Sequence, residues 1–137
     1  MLPEPMRRLI RQEQARQDNR FIEGIDVESY LAKLEEHAEI LTDCTDDRCR
    51  GLVAFYCNDV ASKRAFISLV VVAPRDRRLG VGRALVTRVL ALAKARGFTS
   101  CRLEVARHNA VAQAMYRSLG FGVIESDARG SVLEVSF

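Results

Sequence analysis

The chain has 137 residues, a net charge of +3, 48% hydrophobic residues and 28% charged residues. That length and balance describe one ordinary globular domain with room for a sizeable core. The mild charge does not indicate a nucleic-acid binder, which would gather a larger excess on one face, and no apolar run approaches the roughly 20 residues of a membrane span.

The elements are expected in the following order. Residues 6–20 have good helix propensity but a thin apolar stripe of Met6, Leu9 and Ile10. Gly24 breaks that helix, and Asp26 caps a second one with Val27, Tyr30, Leu31, Leu34 and Ala38 on one face. Strands follow from Ile40, over residues 52–57 and over 65–72, with Asp46, Asp47 and Arg48 as one turn and Asn58 and Asp59 starting another. Pro74 ends the third strand, because it cannot donate to a ladder. Val81, Leu85, Val89 and Leu92 then mark a helix that Gly97 stops. A strand over 101–106, a helix capped by Asn109 and ended by Gly120, and strands over 121–124 and 131–137 close the chain. A strand–helix–strand unit implies a parallel pair, so the class is α/β (α+β) with one mixed sheet.

The N-terminus, Met1 to Arg8, lacks the apolar core of a secretory signal, which points to the cytoplasm. Cys44, Cys49, Cys57 and Cys101 show no Cys-x-x-Cys spacing and are expected as free, buried thiols. With His37 and His108 they form no ligand pattern, so no metal is expected.

The most informative stretch is Val70, Val71, Val72, Ala73, Pro74, Arg75, Asp76, Arg77, Arg78, Leu79, Gly80, Val81, Gly82, Arg83 and Ala84. It reads as strand, loop, helix. Glycines let backbone approach a ligand, the helix start offers unpaired N–H groups, and arginine forks match phosphate oxygens. A dinucleotide fingerprint would need a small residue where Leu85 stands, and a P-loop would need Lys-Ser/Thr where Arg83-Ala84 stand. Arg77-x-x-Gly80-x-Gly82 after an apolar strand instead resembles the pyrophosphate loop of the GNAT N-acetyltransferases. The run from Leu103 through Glu104, Asn109 and Tyr116 to Gly120-Phe121 is similar to the later cofactor-binding part of that family. The resemblance covers residues 38–125; residues 1–37 are left as a helical segment on the acceptor side of a single domain spanning 1–137.

The resemblance implies a mixed central sheet, flanked by helices, whose parallel strands splay to admit acetyl-CoA. It implies that Val70, Val71 and Val72 meet the pantetheine arm and supply an N–H to the oxyanion. Arg77, Arg78, Leu79, Gly80, Val81, Gly82, Arg83 and Ala84 would cradle the pyrophosphate, Asn109 would reach the pantetheine amide, and Arg75, Arg78 or Arg83 would meet the ribose phosphate. Tyr116 matches the tyrosine that protonates the leaving thiolate, and Glu104 matches the general base of the branch that acetylates ribosomal-protein N-termini. His108 is a weaker candidate base, beside the Asn109 cap.

The expected function is acetyl transfer from acetyl-CoA to a primary amine of a small molecule, such as an amino sugar. The runner-up acceptor is the N-terminal α-amine of a protein or peptide. A non-catalytic acyl-CoA-binding module is the rival from another class, and retention of Glu104 and Tyr116 argues against it. The acceptor is expected beside the N-terminal helices and residues 55–59, where Glu23, Asp26, Glu28 and Asp59 offer acidic company. No nucleic acid or membrane is expected as a partner, and the oligomeric state, a homodimer included, is left open.

Overall fold

The computed structural model describes residues 2–17, 21–45 and 48–137. Helices α1 (Glu4–Arg16) and α2 (Val27–His37) precede strands β1 (Glu39–Cys44), β2 (Cys49–Tyr56) and β3 (Arg64–Val72). A 3₁₀ turn (Pro74–Asp76) leads to α3 (Val81–Ala95), β4 (Ser100–Ala106), α4 (Ala110–Ser118), β5 (Gly122–Ser126) and β6 (Gly130–Ser136). The strand order is β1-β2-β3-β4-β6-β5. β3 and β4 are parallel, and β6 is antiparallel to both β4 and β5. The mixed α/β class expected from the sequence is therefore correct. The β3–β4 ladder runs from Arg64↔Ser100 to Ile67↔Leu103.

The chain divides into two compact units. The first holds residues 1–54 and 69–85. Its core gathers Leu9, Ile10, Leu31, Leu34, Leu52 and Val71. α1 ends at Arg16, earlier than the sequence suggested, and residues 18–20 lie outside the described residues. Its thin stripe is completed by polar residues: Gln14 is buried and exchanges two hydrogen bonds with the backbone of Ile22, at 2.7 and 2.9 Å. A buried amide is tolerated when it is paired in this way. Asp26 caps α2 by accepting from the Ser29 N–H at 2.9 Å.

The cysteine expectation needs correcting. Cys44 and Cys49 form a disulfide between the end of β1 and the start of β2. Thr45 and Arg48 exchange backbone hydrogen bonds at that hairpin end, which brings the flanking cysteines opposite each other. Asp46 and Asp47, expected in this turn, lie outside the described residues. Cys57 and Cys101 are free and buried, as expected.

The second unit holds residues 55–68 and 86–137. Its buried residues include Val86, Val89, Cys101, Leu103, Tyr116, Phe121 and Leu133. On β4, Cys101, Leu103 and Val105 are buried, while Arg102 and Glu104 point to the other face. Gly97 and Gly120 have φ of +85° and +98°, so both helix stops use the left-handed region that favours glycine. Among the described residues, no helix is long and apolar enough to cross a membrane.

Candidate active site

In the first unit, β3 carries Val70, Val71 and Val72 to the loop. Val71 is buried, whereas Val70 and Val72 are half-buried. The 3₁₀ turn after Pro74 was not legible in the sequence. It buries Asp76, which pairs with Arg48. Arg77 donates from Nη2 to Glu13 Oε1 at 2.7 Å and from Nε to the Val72 carbonyl at 3.3 Å. Arg78 and Gly80 both have positive φ, +66° and +80°. For a residue with a Cβ this costs on the order of 1 kcal/mol, a strain that persists only where the surroundings hold it.

The first helical bond of α3 joins the Ala84 N–H to the Gly80 carbonyl at 3.0 Å. The N–H groups before Ala84 are the ones a helix start leaves for an anion. Leu79 is exposed, and Val81 is buried. Arg75 lies on the rim of a groove of about 810 Å³ with Arg8, Arg16 and Arg48, over Leu9 and Cys49.

In the second unit, Glu104 lines a cavity of about 400 Å³ with Tyr56, Asn58, Asp59, Phe66 and Glu125. Arg64 and Arg102 also reach this cavity, but both are held by Glu134, which faces Arg102 across the β4–β6 ladder. Glu104 sits opposite Val132 in the same ladder, and Glu125 opposite Val132 on the other side. The structure thus brings Glu104 and Asp59 together. Asp26 and Glu28 serve elsewhere: Asp26 caps α2 and Glu28 binds Arg11 at 2.7 Å. Glu23 is exposed. Tyr56 lies in the 55–59 stretch expected beside the acceptor, whereas sequence reasoning missed Phe66 and Glu125; the only signal for these was that alternating residues of one sheet face share an environment.

Asn109 caps α4, its Oδ1 accepting from the Ala112 N–H at 3.2 Å. His108 is exposed beside it. Two turns on, Tyr116 is buried, and its ring meets Phe121 edge to face. Burial pushes the phenol up to about 12, with the nearby Cys101 adding a smaller push. No hydrogen bond of the Tyr116 hydroxyl exists among the described residues, so a protonated phenol is left with an unused donor. No group of three His, Cys, Asp or Glu side chains among the described residues could hold a metal ion.

The features above are a loop fit for an anion, a carboxylate in a cavity and a phenol that keeps its proton. The family model described as the acetyltransferase (GNAT) family matches residues 5–121. The chain belongs to the GNAT family. This match also takes in the N-terminal helices, beyond the 38–125 core where the motifs lie.

The Escherichia coli ribosomal protein bS18-alanine N-acetyltransferase is 37% identical over 70 residues, 51% of this chain and 47% of that protein. The chain spans about half the length of the curated relatives it matches. Among solved structures, PaiA N-acetyltransferase from Thermoplasma acidophilum, in complex with coenzyme A, has a TM-score of 0.71 at 18% identity, covering 98% of this chain and 89% of that one. A protein from Pyrococcus horikoshii has a TM-score of 0.80 at 16% identity, covering 100% and 94%. These two likenesses show the GNAT fold.

Proposed function

We propose that this chain transfers the acetyl group of acetyl-CoA directly to a primary amine in a ternary complex, and that residues 1–137 act as one N-acetyltransferase domain. The observation that carries this reading is the placement of Glu104, a carboxylate without a cationic partner among the described residues, on the wall of a 400 Å³ cavity. A cavity of that size suits a small ligand.

An alkyl amine has a pKa of about 10.4 and enters as an ammonium ion at neutral pH. Glu104 takes its proton, directly or through one water. The freed nitrogen attacks the thioester carbonyl. The carbonyl oxygen becomes an oxyanion, which a backbone N–H of Val70, Val71 or Val72 stabilises. The intermediate then collapses and the C–S bond breaks. The nitrogen gives up a second proton as the amide forms, and the thiolate takes one up, so one proton is released per turnover.

Tyr116 faces the departing sulfur in this reading. Its raised value of about 12 keeps the phenol protonated throughout the working range. A thiol ordinarily titrates near 8.5, well below the phenol. Tyr116 therefore stabilises the thiolate chiefly as a hydrogen-bond donor and gives up its proton only as another replaces it.

The backbone N–H groups of residues 77–84 hold the pyrophosphate, with Arg75, Arg78 or Arg83 at the ribose phosphate. Asn109 uses Oδ1 on its helix, so its Nδ2 is the donor assigned to pantetheine. The location assigned is the cytoplasm, which fractionation of cells making the chain tests.

The acceptor assigned is a small-molecule amine. The protein N-terminal α-amine is the second reading, favoured by the 37% identity to the alanine N-acetyltransferase. A panel of amino sugars, alkyl amines and short peptides, read by release of the CoA thiol, separates the two. Turnover with peptides alone would overturn the small-molecule assignment.

A further inference from the structure

Among the described residues, two of the three buried polar or charged ones, Glu13 and Asp76, hold arginines near the loop. Asp76 holds Arg48, the residue just before β2. Glu13 holds Arg77, which is 64 positions away in the chain. The Glu13 side chain is only 7% exposed. A carboxylate so far from water is costly unless it is paired and fully hydrogen-bonded. It is: Oε1 accepts from Arg77 and from Arg16, each at 2.7 Å, and Oε2 accepts from Gln17 at 2.6 Å. Arg77 is tied in turn to the end of β3 through the Val72 carbonyl. A single guanidinium therefore joins α1, the last residue of β3 and the first residue of the loop.

We propose that Glu13 is a positioning residue for acetyl-CoA: by holding Arg77, it sets the loop in its binding conformation before the cofactor arrives. The inference rests on the reading of residues 77–84 as the pyrophosphate cradle. Arg78, the next residue, is strained at φ +66°, and a strained loop returns to other conformations unless its flanks are held. A loop already ordered lowers the entropy cost of binding. The Arg77 side chain is then a strut, and the phosphates are met by the backbone that follows it.

The test is a double-mutant cycle on acetyl-CoA affinity, using Glu13→Gln and Arg77→Gln, with the Kd measured by calorimetry. Each single variant should weaken binding about tenfold, the scale of one charge-assisted hydrogen bond. The double variant should weaken it no further than Arg77→Gln alone, since that change already removes the partner of Glu13. The KM for the amine should stay unchanged, which a general loss of structure would not allow. Arg16→Ala, removing the other arginine on Glu13, should leave the affinity as it was.

Should Glu13→Gln fail to fold, Arg77→Lys serves instead. It keeps the charge but loses the planar fork that reaches Glu13 and the Val72 carbonyl from two different nitrogens, so the same loss is expected. Wild-type affinity in Glu13→Gln or Arg77→Lys, or additive losses in the cycle, would overturn the role of Glu13 alone. Failure of the wild-type chain to bind acetyl-CoA would overturn the cradle reading and this inference with it.

Discussion

The ring of Tyr116 meets the ring of Phe121 edge to face, with centroids 5.8 Å apart and planes at 63°. The chain turns between them, with the Phe121 N–H donating to the Tyr116 carbonyl at 3.1 Å. Gly120 permits that turn at φ +98°. The Gly-Phe exit of α4 thus packs against the Tyr116 ring. Such ring pairs contribute about 0.5–1.5 kcal/mol beyond their burial. Phe121→Leu is expected to lower kcat by up to about tenfold through a looser Tyr116 ring, with the KM for acetyl-CoA unchanged. Steady-state kinetics checks this; a change confined to KM would contradict it.

Tyr116→Phe removes only the donor. The variant should bind acetyl-CoA like the wild type and lose about 10²–10³ in kcat, the scale for one preorganised donor to a developing anion. An unchanged kcat would take Tyr116 out of the mechanism.

Cys101 gives the chain an alkaline weakness. Burial, and behind it the neighbouring Cys57, pushes its thiol up from 9.0 to about 12. Above pH 9 the unfolded chain releases this proton and the folded chain keeps it. The unfolded state then binds fewer protons, so stability falls as pH rises from about 9 towards 12. Tyr116, raised in the same direction, adds to the fall from about pH 10. Melting curves of Cys101→Ala should show a shallower loss of Tm between pH 9 and 11 than the wild type. Equal slopes would mean that Cys101 is not the group responsible. Below pH 9 the buried thiol should also resist alkylating reagents, because the thiolate is the nucleophile.

Gly130 starts β6 against β4. A Cβ built there would lie 2.1 Å from the Val105 carbonyl oxygen and 3.1 Å from the Ala106 Cα. Both neighbours are backbone of a strand whose ladder already opposes Ala106 to Gly130, so neither moves cheaply. Gly130→Ala should destabilise the fold by about 1–3 kcal/mol, the usual cost of overpacking. Because Glu104 lies on the same strand, turnover should fall as well. Chemical denaturation measures the first effect, and an undiminished midpoint would contradict the packing argument.

Most of the architecture was legible where local chemistry settles it. Asp26 and Asn109 are helix caps because their short oxygens reach an N–H three residues on. Gly97 and Gly120 stop helices because the backbone there turns left-handed. Val81, Leu85 and Val89 declare α3 by their spacing, and all three are buried. What escaped depends on residues far apart in sequence. Nothing near Glu13 announces that its partner is Arg77, and nothing near Phe66 announces that it lines a cavity with Glu125. The Cys44–Cys49 bridge escaped for a different reason: its two residues flank one turn, and only hairpin closure sets them opposite each other.

The central claim is that Glu104 takes a proton from an amine that then attacks acetyl-CoA. The most direct measurement is the initial rate of CoA thiol release, for the wild type and Glu104→Gln, with a reactive amine at pH 7 and at pH 9. The wild type should release thiol only when amine is present. Glu104→Gln should be far slower at pH 7, and the gap should narrow at pH 9, where more amine is already free as it nears its own pKa of about 10.4. No amine-dependent thiol release from the wild type, or a gap that does not change with pH, would contradict the account.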